Sequence, residues 1–430
     1  MSSVETVRVP EDLSGRPRRV PFGEVRWRDT FRALRHRNFQ LFFYGQLVSL
    51  VGTWMQQTAM SWLVYQVSNS KFLLGAVAAA GSAPMMLFSM WGGSLADRYP
   101  KRTILLATQT AEMLLAFVLA AVVWAGLATP SLIILLSLIA GVAMGFEMPA
   151  RQAFTIELTG KEDLLNAISL NSSVVNGARV VGPSLAGLLI GSVGPAVCFL
   201  VNGVSFIAVL AGLLMMRLPK HVARTDDAST REHALGGLSY VAGHPRVRTI
   251  LALFGIVGVF GWSYMVLMPA FARDLLGLDA NGYGVLLSAS GIGALGSALA
   301  VATAGHLFVP RKIALTGVWL FSSALVLFAL NRNFYLALLY LTMSGCGMML
   351  FFSTSNTVLQ TIVPDAMRGR VMGVWSVVFG AMIPLGSLEA GTLANWIGVP
   401  ATIAFGAMVC ALSALITLLI VRRREAASAT

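Results

Sequence analysis

The sequence predicts an all-α membrane protein of twelve transmembrane helices in two pseudo-symmetric six-helix bundles, with both termini in the cytosol. Three observations lead there. Twelve apolar runs of about 18 residues or more recur along the chain, the length needed to cross a bilayer's hydrocarbon core. Hydrophobic residues make up 56% of the chain and charged ones 12%, whereas a soluble domain carries about a quarter charged residues. Finally, 27 of the 31 lysines and arginines fall in segments that a single topology places on one face, and basic residues are retained in the cytosol.

Residues 1–37 read as a disordered tail followed by a short basic helix on the cytosolic leaflet. Trp27, Phe31 and Leu34 share one face of it and arginines fill the other, a pattern suited to acidic lipids. The first bundle is expected over 38–217, with spans at 39–65, 72–94, 103–127, 131–149, 166–191 and 194–216. A polar cytosolic linker follows at 218–247. The second bundle covers 248–421, with spans at 248–272, 281–304, 313–330, 334–358, 368–394 and 400–421, and a basic cytosolic tail occupies 422–430. The halves echo one another: Pro100-Lys101-Arg102 recurs as Pro310-Arg311-Lys312, and Val193-Gly-Pro195-Ala196 as Gly398-Val-Pro400-Ala401.

Within this frame, span 1 carries a polar stripe of Gln46, Ser49, Thr53, Gln56 and Gln57, which must face other helices or water. Between spans 2 and 3 lies Gly93-Ser-Leu-Ala-Asp97-Arg98-Tyr-Pro100-Lys101-Arg102. One acid and three bases within six residues cannot lie in lipid, so the stretch is a tight turn at the cytosolic face. Span 5 contains Gly177-Ala-Arg179-Val-Val-Gly182-Pro183-Ser-Leu-Ala-Gly187, whose glycines allow close helix approach and whose proline kinks the helix.

Four charged residues fall in or near the spans: Glu112, Glu147, Arg179 and Glu389. Charges there are costly and point to function. Glu112 lies about 15 Å from the cytosolic start of span 3 and Arg179 slightly deeper, so both are near mid-membrane. Glu112 is the candidate proton carrier with Arg179 as its counter-charge; a structural ion pair would use the same two residues. Glu147 is read near the inner end of span 4, and Glu389 about 30 Å along span 11, near the outer mouth and within reach of water.

Other chemistries are excluded. Cys198, Cys346 and Cys410 lie in apolar spans without metal spacing, and five scattered histidines form no metal or catalytic cluster. Gly291-Ile-Gly-Ala-Leu-Gly296 matches a dinucleotide fingerprint but lies mid-membrane with no preceding strand. The net charge of +12 belongs to the membrane surface, with no nucleic-acid module. No enzyme activity, cofactor or metal is expected, nor a cleavable signal peptide, since the N-terminus is long and polar.

The turn after span 2 resembles the signature loop of the major facilitator superfamily, Gly-x-Leu-Ala-Asp-Arg-x-Gly-Arg/Lys-Arg/Lys, with Pro100 in place of the usual glycine. The span-5 element resembles the Gly-x-x-x-Gly-Pro-x-x-x-Gly pattern of the superfamily's antiporters. Gly52 to Tyr65, Met148 to Phe154, Asn166 to Ser173 and Val363 to Gly373 are similar to its bacterial drug and siderophore exporters, of the enterobactin-exporter and macrolide-efflux kind. The resemblance implies a monomeric inner-membrane exporter of amphipathic organic compounds, working by alternating access with protons in exchange. It implies a cytosolic gate of Gly93, Asp97, Arg98, Lys101, Arg102 and Arg368, and an antiporter motif of Gly177, Gly182, Pro183 and Gly187. It places a substrate cavity between spans 1, 4, 7 and 10, where Gln46, Thr53, Gln56, Gln57, Trp262, Tyr264, Met268, Tyr340, Met343 and Met348 are candidates. An importer or uniporter of a small metabolite, or a non-transporting receptor or assembly factor, are the alternatives.

Overall fold

A computed structural model describes residues 31–160, 162–218, 230–304 and 309–429, and all regular secondary structure among them is helical. The first six long helices are α1 (Arg37–Ser68), α2 (Lys71–Arg98), α3 (Lys101–Trp124), α4 (Pro130–Thr159), α5 (Leu164–Val193) and α6 (Pro195–Met215). A shorter α7 (Thr230–Gly243) leads into α8 (Pro245–Gly261) and α9 (Ser263–Ala270), which breaks from α8 at Trp262 and ends in a π-helical turn, Phe271–Leu275. Then follow α10 (Ala280–Ala304), α11 (Pro310–Leu330), α12 (Phe334–Ile362), α13 (Asp365–Ile397) and α14 (Val399–Ala429). Among the described residues eleven helical segments are long and apolar enough to cross a membrane, α8, α9 and the π turn counting as one. Outside that set are the short α7 and the long α1, whose 32 residues include the polar stripe. Trp27 and the rest of the predicted surface segment before Phe31 lie outside the described residues, as do 219–229 of the linker with His221, and His306 and Leu307.

Local chemistry sets where helices begin. Ser70 and Asn333 cap α2 and α12 by accepting backbone N–H bonds from Leu73 and from Tyr335 and Leu336. Proline opens α4, α6, α8 and α11, where its missing N–H costs nothing. Before the last helix of each half stands a glycine with positive φ, Gly194 at 96° and Gly398 at 83°, so the repeated Gly/Pro turns are conformational equivalents.

In the first half α1 packs on α5 and α6, α2 on α4, and α3 on α4 and α6. In the second, α8 packs on α13 and α14, α10 on α12, and α11 on α12 and α14. Two helix pairs, α2 with α13 and α5 with α10, make the main joins between the halves, and α9 adds smaller contacts to α1 and α2. The chain ahead of α1 is tied to the start of α5: Arg32 pairs with Asp163 at 2.6 Å, His36 Nε2 lies 2.9 Å from the same carboxylate, and the Ala33 N–H donates to Asn166 Oδ1 at 2.9 Å. The His36 hydrogen bond, helped by Arg32 and Arg35, holds the Asp163 carboxyl below the usual range.

The halves meet at the end remote from the arginine-rich face. A Cβ on Gly187 would stand 2.8 Å from the Ala280 carbonyl oxygen, so α5 and α10 approach backbone to backbone. Beside them Trp62 stacks on Tyr283 at 5.5 Å, the Tyr65 hydroxyl donates to Asp274 Oδ2, and Arg273 lies 5.8 Å from the Tyr65 ring. Toward the arginine-rich face a cavity of about 490 Å³ separates α5 of the first half from α8, α12 and α13 of the second.

Gly187→Leu should force α5 away from α10 and open the closed end. In a chain with Cys198, Cys346 and Cys410 replaced by alanine, a Trp62→Cys probe should then react several-fold faster with a membrane-impermeant maleimide. Labelling at the parental rate would show that the close approach is dispensable.

Candidate transport site

Three features of the molecule's interior could serve transport: a charged cluster inside the first half, an arginine between the halves, and the aromatic cavity beside it. The cluster forms where α3 meets α4. Glu147 is fully buried, and its Oε1 accepts hydrogen bonds from Gln109 Nε2 at 3.1 Å and from Arg151 one helical turn later. Glu112, one turn above Gln109 on α3, interacts electrostatically with both Glu147 and Arg151. Two carboxylates therefore face one guanidinium at mid-helix, and Glu147 Oε2 and Arg151 Nε have no hydrogen-bond partner. This revises two expectations. Span 4 was expected to end at 149, but α4 continues through Pro149 to Thr159, so Glu147 lies twelve residues inside it. Arg151 belongs to the same helix, with its side chain 18% exposed.

Arg179 is elsewhere. It projects from α5, which packs on α1 and α10, whereas α3 packs on α4 and α6, so Arg179 and Glu112 are not brought together. Its guanidinium lies 5.5 Å from the Trp54 ring of α1 and 6.0 Å from that of Trp262 at the α8–α9 break. These distances suit cation–π attraction. The rest of the span-5 element divides. A Cβ on Gly182 would meet Trp54, the Pro183 carbonyl abuts Gly284, and Gly187 touches α10, but Gly177 faces open space. α5 runs unbroken through Pro183.

The predicted gate residues are at the arginine-rich face but not in one contact. Asp97 is exposed, with no hydrogen bond or ion pair among the described residues; Arg98 is exposed and Gly93 faces open space. Lys101 pairs with Glu157 of α4 at 3.2 Å, and Arg102 donates to the Leu214 and Met216 carbonyls at the end of α6. Arg368 donates to the Gln360 carbonyl at the α12–α13 corner. The halves are parted here, which leaves Asp97 and Arg368 separate.

The predicted cavity residues also sort by helix face. Gln46 is buried in the first half, Gln56 accepts a 2.8 Å bond from Asn202 of α6, and Thr53 bonds back to the Ser49 carbonyl. Only Gln57 of that stripe is exposed. Trp262 reaches Arg179, but Tyr264 and Met268 are fully buried in the second half, Tyr264 sharing a 3.1 Å hydrogen bond with Ser290. Tyr340 and Met343 are half-buried and Met348 is core; its neighbour Met349 lines the cavity instead. Sequence reasoning missed the cavity's aromatic wall, where Phe254 stacks on Trp375 at 3.5 Å and meets Phe352 at 4.9 Å. Long apolar spans hide such a wall, because an aromatic residue reads alike in core, cavity and lipid. Glu389 departs from expectation too: both its carboxylate oxygens are buried without a hydrogen-bond partner, beside Cys410 of α14. The α10 glycines Gly291 and Gly293 pack on α5 and α12, and no group of three or more metal-ligating side chains occurs among the described residues.

Comparison with known proteins agrees with this architecture. Residues 28–430 match the family described as transmembrane secretion effector. The chain is 27% identical to the staphyloferrin A transporter of Staphylococcus aureus, over 84% of this chain and 90% of that one. It is 28% identical to the multidrug efflux pump Tap of Mycolicibacterium fortuitum, with the same coverage. To the enterobactin exporter EntS of Escherichia coli it is 29% identical, covering 79% and 81%. Crystal structures of the nucleoside transporter NupG share the fold, one with a TM-score of 0.72 at 14% identity over 89% of this chain and 99% of that one. So does a bacterial homolog of the human lysosomal transporter Spinster, inward-facing and occupied, with a TM-score of 0.72 at 13% identity over 90% and 97%.

The ion pair inside α4 can be tested without any substrate. Arg151→Ala leaves Glu147 buried and unpaired, and should destabilise the protein by about 3 to 5 kcal/mol, read as a lower melting temperature in detergent. The double variant Glu147→Gln/Arg151→Gln should recover much of that loss. A single variant that melts with the parent would refute the pair's structural weight.

Proposed function

Because the chain belongs to the transmembrane secretion effector family of the major facilitator superfamily, we propose that it exports amphipathic organic compounds by alternating access in exchange for protons. It is a multi-pass protein of the bacterial inner membrane and a secondary transporter, not an enzyme. In the proposed topology α1 is the twelfth span and both termini are cytosolic, so the arginine-rich face is the cytosolic one. The functional units are then a surface segment and tail at 1–37, bundles at 38–217 and 248–421, a linker at 218–247 and a basic tail at 422–430.

The observation that carries proton exchange is the α3–α4 cluster. Glu112 and Glu147 face a single arginine at mid-helix, so one negative charge is left over. A net charge is costly there, and a bound proton neutralises it; release to water accompanies reorganisation of the bundle. Glu112 is the proposed proton carrier, with Arg151 rather than Arg179 as the fixed counter-charge. The parted cytosolic ends and the free Asp97 support an inward-open state, in which the Asp97 latch near Arg368 is released and the cavity takes substrate from the cytosol. Two relatives, an enterobactin exporter and a multidrug efflux pump, support the direction.

Everted membrane vesicles test the reading. A panel of dyes and antibiotics is offered with and without a protonophore. At least one compound should accumulate, and dissipating the proton gradient should abolish its accumulation. Glu112→Gln should reduce gradient-driven accumulation to the level of vesicles lacking the protein, while counterflow exchange persists. Proton-driven accumulation by Glu112→Gln would overturn the assignment.

A further inference from the structure

We propose that the substrates are organic anions with an aromatic or broad apolar body, bound with their negative group on Arg179 and their body on the aromatic wall. This rests on the exporter reading and names its substrate class.

Arg179 stands about 22 Å from the start of α5, near the middle of a 30-residue helix. Among the described residues it makes no hydrogen bond or ion pair, and its partners are the faces of Trp54 and Trp262. An arginine in that position has five N–H donors and no acceptor to meet them. The other mid-membrane arginine, Arg151, is committed to Glu147.

The arginine also belongs to the cavity's face of α5. Ile168 and Ser172 line the 490 Å³ cavity, and residues seven and eleven apart return to nearly the same side of a helix, so Arg179 stands above them about 10 Å deeper. Opposite lie Phe254, Phe352, Trp375 and Phe379. No acid occurs among the residues lining the cavity, so a cation would meet a fixed positive charge with nothing to offset it. An anion entering from the arginine-rich face is drawn inward by that face and received by Arg179. The guanidinium fork suits a carboxylate or a comparable two-oxygen anion.

Equilibrium binding decides this without a gradient. The full-length protein in nanodiscs is titrated calorimetrically with 2-naphthoate and with 2-naphthamide, which is near-isosteric and neutral. The wild type should bind the carboxylate about tenfold or more tightly, as one charge-assisted contact provides. Arg179→Gln should bind both alike, and Trp375→Ala should weaken both. Arg179→Lys keeps the charge without the fork and should retain a reduced preference; it replaces the glutamine variant if that one does not fold. A wild type without preference, or binding neither probe, would overturn the proposal, as would a preference that survives in Arg179→Gln. The two readings fail separately: loss of proton coupling leaves anion binding intact, and a wild type without anion preference can still accumulate a dye in vesicles under a proton gradient.

Discussion

A charge in the middle of a bilayer has few stable settlements: an opposite charge, an aromatic face, or water. The interior charges of this protein are settled differently. Glu147 takes Arg151 and Gln109 within the first bundle, and the pair is nearly dry. Arg179 takes two tryptophan faces on a wall between the bundles. Among the described residues the buried carboxylate oxygens of Glu389 have no hydrogen-bond partner. The surrounding helices are apolar and interchangeable by comparison, so these settlements distinguish one part of the interior from another.

The same constraint bears on how the halves join. Apolar helices gain little from burying side chains against each other rather than against lipid, so tight association depends on backbone proximity and on a few polar contacts. Both occur at the closed end. Gly187 lets α5 reach Ala280, and Tyr65 and Asp274 add a hydrogen bond across the bundles beside the π-helical turn. At the arginine-rich end Lys101, Arg102 and Arg368 each bind a partner within their own half.

Depth was legible in the sequence; direction around the helix axis was not. The apolar runs located the helices because a span must be continuous, and the Gly/Pro turns located the repeat. Pro149 and the nearby charges ended span 4 on paper, yet a proline two residues after an ion-paired glutamate does not end a helix packed on both sides. Glu112 and Arg179 were paired because they share a height, but height does not say which neighbour a side chain faces. Glu389 failed in the same way. Its level near the outer mouth suggested water, yet both its carboxylate oxygens are buried. For Tyr264 and Met268 the apolar pattern was equally mute, since a residue facing a cavity and one facing the core have the same polarity.

The position of Arg179 joins these strands. Trp54 belongs to the first bundle and Trp262 to the second, at the turn between α8 and α9. Any rocking of one bundle against the other must change the distance between the two rings, and with it the environment of the cation. A ligand bound to that guanidinium therefore binds the two end states unequally, and by linkage it shifts the balance between them. The Glu112–Glu147–Arg151 cluster is confined to the first bundle, on helices α3 and α4, and reaches the same equilibrium only through packing within that bundle. On the proposed reading substrate acts at the seam and the proton beside it, an arrangement that would let the two oppose each other without sharing a residue.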